Sequence, residues 1–336
     1  MANVKLLNWQ QRIAIGREST YGSVPAMNRY IGDESAKFDY KLDSYYKSQV
    51  GGGRSVSQMY KSTALLTPSV TIAVQPDNCG EIFCSFFGTW TDGTQTPNAA
   101  GTQYKHTFLP AGTISDNFAS VAFKNDYGQG TVYDYFGCRA NKLNITVNPK
   151  EILKMSADFI GQREVAGTSA PVAIIFGTWQ PWDFTDMNIW LGPQGTYGGT
   201  VMDGISALNI SLDNAMSDGF RLGSQVYTTR PLPGGPMVNT VKFTNEYSGT
   251  DRTNYYTSGS QAGMLVQFTG QTIGGTGKSE LWMRFPCVDY TTAPFSPEKD
   301  GLLCLAITAR MLEGGTSFAG TGYSCQFELY NNINAY

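Results

Sequence analysis

The chain of 336 residues is long enough for about two domains of ordinary size. Its 38 glycines, 19 tyrosines and 18 phenylalanines, together with a charged fraction of only 15%, favour a turn-rich β protein over a helical one. A net charge of −3 argues against a nucleic-acid clamp, which needs a concentrated basic surface, but it is compatible with a wall past which DNA slides.

The first nine residues contain no apolar run typical of a secretory signal, and no stretch approaches the roughly 18 apolar residues of a membrane helix. We therefore expect synthesis in a cytoplasm and no membrane insertion by this chain. The six cysteines have no metal-like spacing with the single histidine, so we expect reduced, buried thiols and no metal or other cofactor.

Residues 1–67 are predicted to form an extended N-terminal arm, because glycine-containing polar segments at 16–23 and 51–54 interrupt them. Residues 69–74 then alternate as a strand, and Asp77 and Asn78 supply a possible N-cap for a short helix that ends at Gly88. Further alternation predicts strands at 104–108, 121–123 and 131–136.

The stretch 141–164 predicts a β-hairpin with one apolar face and one polar face. Its apolar positions are Leu143, Ile145, Val147, Leu153 and Met155, with Pro149 in the turn. Sixty-five residues later the sequence LNISLD repeats the pattern of LNITVN, and we interpret this as a sign of two related β-domains. The matching positions in the second copy are Leu208, Ile210 and Leu212, followed by Phe220.

The remaining chain is predicted to contain an aromatic crossing segment, residues 168–204, and strands at 208–212, 238–243, 264–268, 281–285, 302–309 and 323–330. Asp251 is placed to cap a short helical turn that carries Tyr255 and Tyr256. The fold class is therefore mainly β. We expect two tandem β-sandwich or barrel-like domains, residues 68–167 and 205–336, each with one short flanking α-helix.

Two motifs suggest chemistry but have simpler explanations. Gly277, Lys278 and Ser279 resemble the end of a phosphate-binding loop, yet an alternating strand follows them where a helix is required, so a hairpin turn is favoured. His106 lies in an alternating strand and no G-x-S-x-G sequence accompanies it, so a packed strand histidine is favoured over a catalytic one. We predict that the chain is not an enzyme.

Two alternatives to a structural role stay open at this stage. The aromatic stripes are compatible with a carbohydrate-binding or carbohydrate-hydrolysing β-sandwich. The abundance of glycine and tyrosine is compatible with an outer-membrane barrel, which is less favoured because the strands are shorter than the roughly 9–11 residues of a barrel span and a helix is predicted.

Four stretches, in the same order along the chain, resemble motifs of the major tail tube proteins of long-tailed bacteriophages. Residues 16–23 (GRESTYGS) resemble the N-terminal Gly-x-Glu-Thr-x-Tyr-Gly-Thr signature, and residues 53–54 resemble the Gly-Arg after the first arm. Residues 181–192 are similar to the mid-chain Pro-Phe-x-Phe-x-Asp-Ala-x-Val crossing, and residues 208–214 to the strand that ends in Asp-Asn. Met187, where a small residue is usual, and the aromatic insert around Trp179 depart from the pattern.

This resemblance implies a structural virion protein that assembles into stacked rings and forms the conduit for the genome. It implies contacts with the tape measure protein and with DNA in the lumen without sequence recognition, and contacts with the tail terminator and distal tail proteins. Because two domains in one chain would halve the number of chains in a sixfold ring, we favour a trimeric pseudo-sixfold ring over a hexameric one.

The resemblance and the physics of open sheet edges together suggest residues for assembly. The candidate ring-assembly hairpins contain Leu143, Ile145, Val147, Pro149, Leu153, Met155, Leu208, Ile210, Leu212 and Phe220. The candidate inter-ring arm contains Glu18, Tyr21, Gly53 and Arg54.

Overall fold

The computed structural model describes residues 11–25, 27, 29–31, 33–47, 58–96, 103–111, 119–128, 131–167, 179–195, 200–202, 204–217, 219–220, 227, 230–247, 252–273, 275–297, 303–314 and 322–336. Strands form most of its regular structure, which confirms the mainly β fold class.

The first half contains ten strands: β1 (Arg12–Arg17), β2 (Arg29–Tyr30), β3 (Asp33–Lys47), β4 (Gln58–Ala73), β5 (Gly88–Gln95), β6 (Tyr104–Pro110), β7 (Val121–Asp126), β8 (Val132–Val147), β9 (Lys154–Ile160) and β10 (Arg163–Ala166). The second half contains eleven: β11 (Met187–Pro193), β12 (Thr200–Val201), β13 (Ile205–Asp213), β14 (Met216–Ser217), β15 (Leu232–Pro233), β16 (Val238–Glu246), β17 (Ala262–Thr272), β18 (Lys278–Thr292), β19 (Phe295–Pro297), β20 (Leu303–Leu312) and β21 (Gln326–Asn331).

The predicted helix of the first half is α1 (Gly80–Phe87), and all its residues are buried. Gly88 ends it in the left-handed conformation, as expected, with its N–H bonded to the Cys84 carbonyl. The expected cap is wrong, because the N-cap is Cys79, which makes no side-chain cap bond. The Asn78 side chain instead accepts the Gln75 N–H and donates to the Ala73 carbonyl, and so it holds the turn before the helix.

The helix predicted around Tyr255 and Tyr256 is a π-helical turn, Arg252–Thr257, rather than an α-helix. Its expected cap, Asp251, lies outside the described residues. The Arg252 guanidinium lies over the rings of Tyr256, at 5.4 Å, and Phe295, at 5.1 Å. The contact with Phe295 attaches the turn to β19.

One antiparallel sheet runs through both halves in the order β3–β4–β9–β8–β13–β16–β20–β19. A second set of pairings joins β5–β6–β21–β18–β17–β11–β12, and a third joins β2–β1–β7–β8–β10. The long strand β8 belongs to the first and third sets, and β18 also joins the second set to the first because its last residues pair with β20. The aromatic residues of α1 fill the space between layers, where Phe83 lies 5.4 Å from both Phe108 and Phe327.

The order of pairings in the first half recurs in the second. In each half a two-residue strand pairs with the first strand, a long hairpin follows, and a long strand then links two sets of pairings. Three β-bulges also recur at matching places, which matters because a bulge marks a specific register. They lie at Asp33/Ser35 and Ile205/Ala207, at Val121/Phe123 and Ala262/Met264, and at Ala140/Lys142 and Tyr290/Thr292.

The two similar sequences at 143–148 and 208–213 do not occupy matching places in this pattern. They are direct antiparallel neighbours, with Ile210 opposite Ile145 in the ladder between β13 and β8. The second hairpin predicted from this match is wrong, because β13 pairs with β16 and not with the segment that contains Phe220. Phe220 lies outside the strands and is 41% exposed.

The first predicted hairpin is confirmed, since β8 pairs with β9 and the chain turns at residues 148–151. The predicted N-terminal arm is not separate from the fold. Ile13 and Ile15 of β1 are buried in the core, and the expected boundary at residue 67 falls inside β4. The rest of the domain division stays a prediction.

Candidate functional site: the polar sheet face and its edges

The eight-stranded sheet has one apolar face and one polar face, as the alternation in β8 and β13 predicts. Leu143, Ile145 and Val147 are buried, and so are Leu208, Ile210 and Leu212, which confirms the apolar face. Leu153 and Met155 are also buried, while Pro149 lies in the exposed turn. The residues between them in β8 and β13 are half-buried or exposed and form the polar face.

Uncharged polar side chains line up across six neighbouring strands of this face. The ladder registers place them side by side as Ser35, Thr71, Ser156, Asn144, Ser211 and Thr240. Hydroxyl and amide groups offer hydrogen bonds to water without net charge. The row is therefore a hydrated and electrically neutral stripe across the sheet.

The charged groups beside this row are largely paired with one another. Lys142 lies 2.9 Å from Asp213 on the neighbouring strand, and this hydrogen bond, together with the charge of Asp213, raises the pKa of Lys142. Lys154 contacts Glu34 at 3.0 Å. Such exposed pairs add little stability, but they cancel local charge.

A shallow depression of about 430 Å³ lies on the same face. Thr146, Asn209, Lys242 and Thr308 contribute to its lining and stand beside one another in the ladder. The face is thus polar across its width.

Both edges of the eight-stranded sheet are open in the described part of the chain. β3 pairs only with β4, and β19 pairs only with β20. By contrast, β8 and β13 lie inside the sheet between strands of the same chain. The free edges expected at these two strands are therefore elsewhere, at β3 and β19.

The hairpin of β3 and β4 projects beyond the rest of the sheet. Residues 44–47 pair with residues 58–61 with no third strand beside them in the described residues, over a length of about 13 Å at roughly 3.3 Å per residue. Tyr45 and Tyr46 are 70% and 67% exposed, although they point to opposite faces. We call the exposed residues Leu42, Tyr45, Tyr46, Met59 and Tyr60 the hairpin tip. Gly53 and Arg54 belong to the connection between the strands and lie outside the described residues.

Glu18 joins the N-terminal motif to the body of the protein. Its buried carboxylate accepts hydrogen bonds from the N–H groups of Gly137 and Gly22 and from the Ser120 hydroxyl. Burial raises the pKa of Glu18, although these three hydrogen bonds act in the opposite direction. Tyr21 lies 5.8 Å from the Arg139 guanidinium. These contacts are all internal, so a role of Glu18 and Tyr21 between rings stays a prediction.

The described residues 179–195 of the crossing segment are structured, as the tendency of aromatic residues to be buried predicts. Trp182 is buried, and Asp183 and Asp186 form a reciprocal capping box around the 3₁₀ turn Phe184–Asp186. Neither the open edges nor the hairpin tip was predicted from the sequence. The exposed tyrosines near residues 45 and 60 were the signal available for the tip.

The motifs that suggested chemistry have structural roles. His106 is buried with Nε2 at 2.7 Å from the Ile333 carbonyl, and burial lowers its pKa. Gly277 closes the turn between β17 and β18, as predicted, by accepting the Ile273 N–H. All six cysteine thiols are buried and free of disulfides, as predicted. No group of His, Cys, Asp and Glu in the described residues is arranged for a metal ion.

Two half-buried aromatic residues on the other sheet, Trp282 and Tyr330, are engaged in internal contacts. The Arg284 guanidinium lies 4.7 Å from the Trp282 ring, and Lys105 lies 5.7 Å from the Tyr330 ring. Both cations also contact the buried Glu328, at 3.0 and 2.9 Å. This cluster does not offer an open aromatic platform for a sugar.

Open sheet edges, a projecting hairpin and a largely polar sheet face define a β-structured protein suited to assembly. The family model described as phage tail tube protein matches residues 8–309, and the chain therefore belongs to the phage tail tube protein family. No curated protein matches the chain in sequence. The protein is a structural component of the phage tail, with the tail tube as its place in the virion. In the described part of the chain, no helix is long and apolar enough to cross a membrane.

Proposed function

We propose that copies of this chain close into rings through the edges of the eight-stranded sheet and that the rings stack into the tube through which the genome passes. The observation that carries this proposal is a sheet with one polar face and, in the described part of the chain, one open strand edge at each end. Pairing each open edge with the next copy satisfies the backbone groups of both strands. Such a head-to-tail contact generates a ring when its rotation closes.

We infer that the chain holds two tandem tube units and that three chains form a pseudo-sixfold ring. The recurring pairings and the three matching bulges support this division, with β1–β10 as one unit and β11–β21 as the other. The match between residues 143–148 and 208–213 does not support it. Those strands are antiparallel, whereas a sixfold rotation keeps equivalent strands in the same direction along its axis.

The junction between β8 and β13 inside the chain supplies a template for the junction between chains. In this template Asp213 lies opposite Lys142, and Ile210 lies opposite Ile145. The matching bulges make Lys41 the counterpart of Asp213, and Thr292 the counterpart of Lys142. We therefore expect Lys41 of one chain to lie opposite Thr292 of the next, and Phe38 to lie opposite Phe295.

In this arrangement the apolar sheet face stays in the protein core and the polar face lines the lumen. Its neutral row and its paired charges give genomic DNA few unpaired cations to bind, so the duplex passes without sequence recognition. The tape measure protein occupies the same lumen before ejection. The hairpin tip, together with Gly53 and Arg54, forms the contact to the next ring. The tail terminator and distal tail proteins meet the ends of the stack, and the chain is synthesised in the host cytoplasm.

Microscopy of the purified chain tests the function, and a pair of cysteines tests the register. We expect hollow stacked rings, and K41C/T292C is expected to form disulfides between chains on oxidation, because residues directly opposite in a sheet have Cα atoms close enough for a disulfide. The largest disulfide-linked product should contain three chains. The control K41C/S296C is displaced by four residues, about 13 Å along the strand, and should not react.

A purified chain that forms no rings would contradict the proposed function itself. Rings in which K41C/T292C fails to react would contradict only the register. Disulfide-linked products that extend to six chains would contradict the trimeric ring.

A further inference from the structure

In the first unit, β4 ends beside the start of β9, and we call this end of the sheet the rim of the unit. Trp182 of the crossing segment covers it. The Val74 N–H donates to the Leu153 carbonyl at 2.9 Å, and both side chains are buried. Trp182 completes this rim, because its carbonyl accepts the Leu153 N–H at 2.7 Å and its N–H donates to the Val74 carbonyl at 3.2 Å. Trp182, together with Asp183 in its bridge to Ile152, thus pairs with the rim as residues of an additional strand would.

The matching rim of the second unit has the same backbone bond, and its apolar side chains are partly exposed. The Tyr247 N–H donates to the Leu303 carbonyl at 2.9 Å, as Val74 does to Leu153. Tyr247 and Leu303 are 37% and 48% exposed, and the neighbouring Phe295 is 47% exposed. We call Phe295 and Leu303 the open rim, and the Tyr247 ring contacts Phe295 with the ring centres 5.2 Å apart. Neighbouring large apolar side chains left exposed in this way mark a surface that a partner covers.

The recurring pairings identify which segment would cover the open rim. Trp182 lies in the segment just before β11, and β11 pairs with β17 as β1 pairs with β7. The counterpart of the crossing segment is therefore the stretch before β1, residues 1–10, which lies outside the described residues. This stretch contains Leu6, Leu7 and Trp9, so it has the apolar side chains that such a cover needs.

We propose that residues 1–10 of one chain dock on the open rim of the neighbouring chain in the same ring. The inference rests on the proposed ring closure, in which the first unit of one chain follows the second unit of its neighbour. In that order the N-terminal segment of the neighbour enters at the open rim, as the crossing segment enters at the rim formed by Val74 and Leu153. By the registers of β11 and β1, Trp182 corresponds to position 6, so we expect Leu6 to lie beside Leu303 in the assembled ring. The segment then adds its backbone to the rim and covers the open rim with apolar side chains.

A disulfide test decides where the segment docks. The variant L6C/L303C is oxidised in assembled rings prepared from a mixture of isotopically light and heavy chains. We expect a disulfide between residues 6 and 303 that joins light to heavy peptides, since the six native cysteines are buried and do not compete. The matched control L6C/V165C uses an exposed residue of β10 and should give no such product.

A second measurement covers the case in which substitution weakens the segment. Hydrogen exchange at the amide of Leu303 should slow on ring assembly for the full chain, and this slowing should be lost in a chain that lacks residues 1–10. Rings that form without the 6–303 disulfide would overturn the docking and leave the proposed function standing. A disulfide formed only within one chain would also overturn it. A full-length chain that forms no rings would instead contradict the proposed function.

Discussion

The carboxylate of Glu18 accepts a hydrogen bond of 2.8 Å from the N–H of Gly137, 119 residues further along the chain. It also accepts from Gly22 at 2.8 Å and from Ser120 at 2.6 Å. The substitution Glu18→Ala removes the acceptor for three donors, so we expect a loss of about 3 kcal/mol in the free energy of unfolding, measured in denaturant. The control Glu151→Gln changes an exposed turn and should alter it by less than about 0.5 kcal/mol. Unchanged stability of E18A would contradict this role.

The raised pKa of Glu18 predicts a pH dependence. Because the folded state holds the proton more tightly than the unfolded chain, stability from this group is fully present below the unfolded pKa of 4.5 and is lost as pH rises through the folded value. The variant Glu18→Gln cannot titrate at this position. The free energy of unfolding of wild type minus that of E18Q should therefore be larger near pH 4.5 than at neutral pH. Denaturant unfolding across that range measures it, and a constant difference would contradict the shift.

His106 predicts the opposite trend. Burial lowers its pKa below the ordinary 6.5, so the folded state releases the proton, and stability that is present above 6.5 is lost as pH falls toward the folded value. The substitution His106→Gln keeps a donor for the Ile333 carbonyl and removes the only histidine of the chain. Wild type should lose stability relative to H106Q on acidification from neutral pH. A difference independent of pH in thermal unfolding would exclude this contribution.

Ile145 and Phe220 separate core residues from residues that sequence similarity alone suggested. Ile145 is buried opposite Ile210, so Ile145→Ala leaves a cavity and should cost about 2 to 5 kcal/mol of unfolding free energy. Phe220 is partly exposed and outside the strands, so Phe220→Ala should cost less than about 0.5 kcal/mol. Denaturant unfolding of both variants checks this contrast. Equal losses would show that Phe220 belongs to the core.

The alternation that predicts the buried faces of β8 and β13 depends on local sequence, which is why Ile145 and Ile210 were predicted correctly. The pairing of β8 with β13 was not predicted, because any two strands with one apolar face resemble one another over six residues. The true counterpart of β13 in the pairing pattern is β3, whose exposed edge allows residues as polar as Lys37 and Asp39. Equivalent backbone positions thus carry unrelated side chains, and only the registers and bulges relate them.

The open edges could not be predicted from sequence for a related reason. An edge strand such as β3 and an inner strand such as β4 differ in their neighbours rather than in their own pattern. Glu18 was identified from a motif, but its hydrogen bond to Gly137 depends on contacts far apart in the chain. The capping of the first rim by Trp182 is likewise a tertiary contact, and sequence indicated only that this residue seeks burial.

Charge reversal on the polar face tests its proposed place in the lumen. The substitution Asp158→Lys converts an exposed acid into a base, leaves the buried face intact, and adds a cation on each copy of the sheet that DNA phosphates bind. We expect normal tube assembly and slower genome ejection from virions, most clearly at low salt. The neutral variant Asp158→Asn serves as control and should eject close to the wild-type rate. Equal ejection rates of D158K and wild type at low salt would place this face outside the lumen.

The hairpin tip predicts a separation of ring formation from ring stacking. Tyr45 and Tyr46 lie beyond the last three-stranded part of the sheet, so replacing both with serine removes apolar contact area without disturbing the core. Because large aromatic residues dominate contact surfaces, we expect ring–ring association to weaken by about tenfold or more while single rings persist. Tube length in micrographs and sedimentation of the assemblies measure the effect. The control Val165→Ser alters an exposed apolar residue on β10 and should leave tube length unchanged. Tubes of normal length from the double tyrosine variant would place the inter-ring contact elsewhere.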